Sequence, residues 1–202
     1  MKSALLIIDV QRDFCASDGA VAAFGADLST IDGTVDRIDR LIGAARRAGV
    51  DVIFIRLETE PELDSPAMLR WYERQGIDPL VAADVCRKGE TGADYYRLFP
   101  QPGDTVVSKT RYSGFVGTSL DEVLQEKEIG IVYATGVTTE CCVESTVRDA
   151  FMRDYEAFVV SDACAAYEEE LHLYSLRAMA LNFATLIDTE TLLAEWADIG
   201  EV

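Results

Sequence analysis

Short, unbroken apolar runs separated by helix-patterned stretches run the length of this chain. Ala4-Leu5-Leu6-Ile7-Ile8-Asp9-Val10 is the first. A run this short with no polar alternation suits a strand buried on both faces, as in a parallel sheet. Ile31 to Ala48 follows, with Val35, Ile38, Leu41, Ile42 and Ala45 forming a helical stripe that Gly49 stops. Val50 to Arg56 reads as the second strand. Further strands are expected at 105–109, 129–135, 157–160 and 184–187. Helices are expected at 120–127, 140–153, 168–181 and 189–196. The pattern predicts an α/β fold, with an open six-stranded, mainly parallel sheet covered by helices on both faces, in one domain over residues 1–202. No internal repeat interrupts it. In such sheets ligands bind beyond the carboxyl ends of the strands, where strand order reverses.

Residues 57–104 are less regular and hold all five prolines. Loops with short helices, such as Pro66 to Arg74, are expected there. An excursion of this length usually carries function. Trp71 and Tyr72 are candidates for a lid, and Tyr95-Tyr96 fit a core equally well.

Composition excludes several function classes. The net charge is -18, with no basic cluster to offset it, so nucleic acid and anionic membranes are poor partners. Only four basic residues are lysines, and an acid-rich, lysine-poor surface suits a salty cytoplasm. No apolar run approaches the ~18 residues of a membrane span. Asp9 arrives too early for a signal peptide, so a cytoplasmic protein is expected. Five cysteines without CxxC spacing do not suggest a disulfide framework. His172 is the sole histidine, which excludes a multi-histidine metal site. No GxGxxG follows the first strand, so no dinucleotide is expected. Neither a metal nor a cofactor is anticipated.

Three strand ends carry chemistry. Asp9 closes the first run, Lys109 ends the third strand, and the fourth leads through Gly136-Val137-Thr138-Thr139 into a helix opening Glu140-Cys141-Cys142-Val143. Taken singly, each has a plainer reading as a cap, a solvated lysine or a packed thiol. Together they form an acyl-transfer set without histidine. The positive end of the helix and a nearby lysine both favour the thiolate. The carboxylate can take the thiol proton and return it to a leaving group. Unpaired backbone amides of the first turn can hold an oxyanion.

Three segments in order carry a resemblance: Ile7-Ile8-Asp9-Val10-Gln11-Arg12-Asp13-Phe14, Lys109-Thr110-Arg111-Tyr112-Ser113-Gly114-Phe115, and Gly136 to Thr146. They resemble the isochorismatase-like cysteine hydrolases over nearly the whole chain. Val159 to Ala163 followed by Leu171-His172 is similar to that family's distal region. The resemblance implies a three-layer α/β/α sandwich and a triad of Asp9, Lys109 and Cys142. It selects Cys142 over Cys141, which is expected to be a buried spacer because adjacent helical residues diverge by about 100°. It also implies a cis peptide at Val137-Thr138, with the Thr138 and Cys142 amides facing the oxyanion, and a homo-oligomer of two or four chains.

Metal-dependent nicotinamidases of this family carry an Asp and two histidines after the second strand. The stretch Arg56 to Ser65 has no histidine. Its four acids could hold a hard cation or form a solvated acidic loop. A cysteine at 142 points to C–N hydrolysis, and Arg111 to Phe115 resembles the ureide-cleaving members. Gln11, Phe14, Arg111, Tyr112 and Phe115 are therefore the candidate substrate-binding residues. Arg56 either pairs with a substrate carboxylate or packs at the surface. His172 is expected to pack a helix or an interface, and Glu144 to face away from the crevice. The expected activity is a cysteine-dependent amidohydrolase of small amide, ureide or carbamoyl substrates. The alternatives are a vinyl-ether hydrolase or a non-catalytic binding module on the same fold.

Overall fold

The computed structural model describes residues 1–200 of the chain. Among them, six strands form one sheet: β1 (Lys2–Ile8), β2 (Asp51–Leu57), β3 (Thr105–Lys109), β4 (Ile129–Val137), β5 (Glu156–Ala165) and β6 (Thr185–Ile187). The spatial order is β3-β2-β1-β4-β5-β6, and every neighbouring pair is parallel. The helices are α1 (Arg12–Cys15), α2 (Ala20–Ala23), α3 (Ile31–Ala48), α4 (Pro66–Arg74), α5 (Pro79–Ala83), α6 (Leu120–Glu126), α7 (Glu144–Phe151), α8 (Glu169–Asn182) and α9 (Thr189–Gly200).

The unbroken first run is explained by burial on both sides. Leu5 and Ile7 point into a core shared with Ile38, Leu41 and Ala45 of α3 and Leu192 and Trp196 of α9. Leu6 and Ile8 point into the opposite core, with Leu120 and Leu124 of α6, Val147 of α7 and Met179 of α8. This is the three-layer α/β/α arrangement. No helix among the described residues is long and apolar enough to cross a membrane.

Strand order reverses at β1. The chain lays β2 and then β3 on one side of it, and returns to place β4 on the other. A crevice opens at the carboxyl ends of these strands. Gly136 permits the close approach of β4 to β1 there. It pairs with Ile8 and has φ +117°, and a Cβ on it would lie 2.0 Å from the Ile8 carbonyl oxygen.

Three local features depart from the expected elements. β5 runs to Ala165 rather than stopping at 160, through the polar pair Ser161-Asp162. Asp162 is tolerated because Oδ1 accepts from both the amide and the hydroxyl of Thr189, each at 2.8 Å. The single helix expected over 140–153 is a π turn at Thr139–Val143 followed by α7. Finally, α1, α2 and α5 are short helices in stretches with too few residues to show a period. In the proline-rich segment, Ser65 and Asp78 accept from the Met68 and Leu80 amides, each directly before a proline in the first turn. No side chain of α4 is fully buried, so this helix lies over the body rather than within it.

Candidate active site

Asp9 follows the last residue of β1 and adopts φ 53°. Lys109 ends β3, two strands away, and its long side chain crosses β2 to reach Asp9. Nζ lies 2.8 Å from Asp9 Oδ2, and both side chains are fully shielded from solvent. The contact is ionic rather than an aligned hydrogen bond, since neither Asp9 oxygen has a donor at good angle. The same Nζ donates to the Arg111 carbonyl at 3.0 Å and to Cys142 Sγ at 3.5 Å. The Asp9 carboxyl in turn faces the Cys142 thiol. Three side chains from the ends of β1, β3 and β4 thus meet at the crevice.

The electrostatics oppose the pull of the helix end and of Lys109 toward a thiolate. The Cys142 thiol is pushed well up by its contact with Cys141, by burial and by the charge of Asp9; Lys109 only partly offsets these. Burial raises the Asp9 carboxyl, against the charge of Lys109 and the Cys142 contact. Burial alone would depress the Lys109 ammonium, but Asp9 and Cys142 hold it up. Both Asp9 and Cys142 are thus pushed toward their protonated forms, while Lys109 Nζ stays in contact with the Asp9 carboxyl. Desolvation of the Asp9–Lys109 contact is offset by their mutual attraction and by the bonds of Lys109 to the Arg111 carbonyl and Cys142.

The π turn shapes the backbone around the thiol. The Thr138 carbonyl accepts from the Cys141 and Val143 amides, each at 3.2 Å, and passes over the amide of Cys142. The Val137-Thr138 peptide is cis. The wider turn also brings Cys141 onto the same cavity wall as Cys142. The expectation that Cys141 would be a buried spacer is therefore corrected: it is half-buried and lines the cavity. Thr146 fixes the turn by donating to the Cys142 carbonyl at 2.7 Å and accepting the Gly114 amide at 3.0 Å.

A cavity of about 180 Å³ opens over the two thiols. Of the candidate substrate-binding residues, Phe14, Arg111 and Tyr112 line it, as does Thr138. Gln11 and Phe115 do not. Gln11 is fully buried, and its side-chain amide is committed to backbone: Nε2 donates to the Leu57 and Ala93 carbonyls at 2.8 and 2.9 Å, and Oε1 accepts the Leu57 amide at 2.7 Å. It ties the end of β2 to the 91–93 turn. Phe115 stacks on Tyr155 in the core, with the Arg153 guanidinium 4.8 Å over its ring.

The other expectations divide: Glu144 faces away from the crevice and His172 packs against a helical turn, as anticipated, whereas Arg56 does not face the cavity. Arg56 donates to the Ala93 carbonyl, pairs with Glu58 at 3.2 Å and sits over the Tyr95 ring, away from the cavity. The acids after β2 gather into no metal-holding group among the described residues, and Glu62 stays solvated while its neighbours find cations. Glu60 pairs with Lys88, and Asp64 makes a two-point contact with Arg87. Glu144 turns away from the crevice to Arg148 and Ser175. His172 Nδ1 lies 2.8 Å from Thr139 Oγ1, so it packs against the π turn, and its burial lowers its basicity.

Of the two lid candidates, Tyr72 lines the roof of the cavity and Trp71 does not; sequence reasoning missed the residues of α4 beside Tyr72, Met68 and Leu69, and the wall residue Tyr167. The i, i+1, i+4 spacing of the roof residues on a capped helix was the available signal. Tyr167, whose hydroxyl donates to the Phe14 carbonyl at 2.8 Å, left none.

Comparison with known proteins agrees with this geometry. A family model described as the isochorismatase domain matches residues 3–191. The chain belongs to the isochorismatase family. It is 36% identical over 200 residues to the ureidoacrylate amidohydrolase RutB of Variovorax paradoxus, covering 94% of this chain and 75% of that one. Among solved structures, a cysteine hydrolase from Pseudomonas syringae pv. phaseolicola superposes with a TM-score of 0.85 at 26% identity, covering 98% of this chain and 93% of that one. N-carbamoylsarcosine amidase from Thermoplasma acidophilum gives 0.73 at 29% identity, covering 94% and 98%. The chain is thus an isochorismatase-like hydrolase.

Proposed function

We propose that the chain is a cysteine-dependent amidohydrolase that cleaves the C–N bond of a small amide, ureide or carbamoyl compound through a thioester on Cys142. The observation that carries this reading is the convergence of Asp9, Lys109 and Cys142 beneath one cavity, with Lys109 Nζ within reach of both other groups. The names of the relatives, an amidohydrolase of a ureide and an amidase of a carbamoyl compound, support the substrate class.

The chemistry follows from the protonation states. Substrate displaces water over the thiol, and Asp9, already raised by burial, takes its proton. The thiolate attacks the carbonyl carbon, and the Thr138 and Cys142 amides hold the resulting oxyanion. The C–N bond breaks as Asp9 returns the proton to the departing nitrogen. Water then loses a proton to Asp9 and attacks the thioester, releasing the acid and restoring the thiol. Lys109 stabilises the negative charge as it passes between Asp9 and sulfur. Phe14, Arg111 and Tyr112 contact the substrate. Self-association belongs to the same reading, since α8 leaves Leu171, Tyr174 and Leu181 exposed.

Ammonia release from small ureides, with mass spectrometry of the quenched enzyme, tests it. An acyl adduct on Cys142 is expected, with activity lost by a factor of at least about 10³ in Cys142→Ala and largely kept in Cys141→Ala. Undiminished ammonia release by Cys142→Ala would overturn the nucleophile. Pyruvate release from isochorismate without ammonia from any amide would overturn the reaction class.

A further inference from the structure

Given the amidohydrolase reading, the polar groups that the cavity lining leaves free narrow the substrate. Most of its polar side chains are occupied. Thr59 donates to the Ala83 and Val85 carbonyls at 3.3 and 2.9 Å, and the Ser65 hydroxyl accepts the Met68 amide at 3.4 Å. The Tyr167 hydroxyl donates to the Phe14 carbonyl at 2.8 Å. The two lining acids carry no unmatched charge, since Glu60 pairs with Lys88 and Asp64 makes a two-point contact with Arg87.

Arg111 differs. Nη1 donates to the Leu63 carbonyl, the Thr110 carbonyl and the Thr110 hydroxyl at 3.1, 2.7 and 3.2 Å. These partners are neutral, so they pin the guanidinium without cancelling its charge. No carboxylate among the described residues pairs with it, and Nε and Nη2 carry no bond there. Those two nitrogens form one edge of the fork that a carboxylate's two oxygens match. The walls around it are apolar, with Phe14, Leu57, Met68 and Leu69, and in such surroundings a charge pair is stronger than in water. The surface charge of -18 acts from farther away and is screened beyond about 10 Å at 0.1 M salt. The cation also has a fixed place relative to the thiol. Lys109 Nζ donates to the Arg111 carbonyl at 3.0 Å and to Cys142 Sγ at 3.5 Å.

We infer that Arg111 is the specificity-determining residue: its Nε–Nη2 edge receives the anionic end of a ureido or carbamoyl acid whose carbonyl carbon lies over Cys142. A pinned cation at a set offset from the nucleophile acts as a ruler. It favours acids of one chain length, and it favours them over uncharged ureides of the same size, which leave the guanidinium without a counter-charge.

Ammonia release from ureidoacetate, 3-ureidopropionate, 4-ureidobutyrate and the uncharged n-butylurea decides the matter. One acid is expected to exceed n-butylurea in kcat/KM by at least about tenfold, and the other two acids by at least about threefold. In Arg111→Gln the acid-to-neutral ratio should fall by at least about tenfold, and Arg111→Lys, which keeps the charge without the fork, should restore part of it. In the unaltered chain, butyrate should inhibit n-butylurea hydrolysis competitively and far more strongly than n-butanol, a measurement that stands even where Arg111→Gln fails to fold. An n-butylurea kcat/KM equal to or above that of every acid, an unchanged ratio in a folded Arg111→Gln, or equal inhibition by butyrate and n-butanol would overturn the role of Arg111 and leave the amidohydrolase reading standing. Equal kcat/KM on the three acids would overturn the ruler. No ammonia from any of the four, with Cys142 unmodified, would overturn the amidohydrolase reading itself.

Discussion

Cys142 sits in an environment that keeps it protonated until it is needed. Cys141, burial and Asp9 all push its thiol up, and Asp9 is itself raised by burial. Both groups therefore hold protons more tightly than in water. Two consequences can be measured. Alkylation of Cys142 should be slow at neutral pH and accelerate steadily as the medium becomes alkaline. The acid limb of kcat/KM should fall above 3.8, the ordinary value for an aspartate, because activity requires the unprotonated Asp9 carboxylate. Rapid thiol labelling at pH 6, or an acid limb at or below the ordinary value, would refute this electrostatic picture. Asp9, Lys109 and Cys142 were legible as candidates because each closes or follows a strand on the crevice side, a position that sequence pattern alone assigns. The fate of Gln11 was not. Its partners, Leu57 and Ala93, lie far along the chain, and nothing local distinguishes a side chain that binds substrate from one that ties backbone together.

At the level of elements, the site depends on how closely β1 and β4 approach at their carboxyl ends. Gly136→Ala would drive a methyl group into the Ile8 carbonyl at a residue whose φ already disfavours side chains. Loss of roughly 3 kcal/mol or more is expected by chemical denaturation, with a parallel loss of activity. A Gly136→Ala chain as stable as the parent would refute the close approach. The strands and long helices were readable because their periods extend over enough residues to be recognised. The π turn was not, because it follows from one carbonyl, that of Thr138, serving both Cys141 and Val143. The end of β5 was hidden for a different reason. Asp162 breaks the apolar run, and its bonds to Thr189 and its ion pair with Arg37, both distant in the chain, make a carboxylate acceptable there. The roof helix α4 announced its own start through Ser65-Pro66, but not what it covers.

Over the whole molecule, the charge of -18 sets the conditions of stability. Added salt shortens the screening length from about 10 Å at 0.1 M to about 3 Å at 1 M, which relaxes repulsion among surface acids. The melting temperature should therefore rise between those potassium chloride concentrations, and a flat or falling Tm would exclude repulsion as a significant load. The three-layer architecture was fully legible, since it needs only the alternation of buried runs and amphipathic stretches. The cavity was less so, because it is built where the proline-rich excursion folds back over the strand ends. One further property follows from where Lys109 is placed. β3 is the outermost strand on its side, five residues long, with Val106 45% exposed and Lys109 at its tip. Peeling that border strand away would leave Asp9 without its counter-charge while drawing a single apolar side chain, Val107, out of the core. A disturbance confined to the sheet's margin would thus silence the chemistry at little cost to the interior.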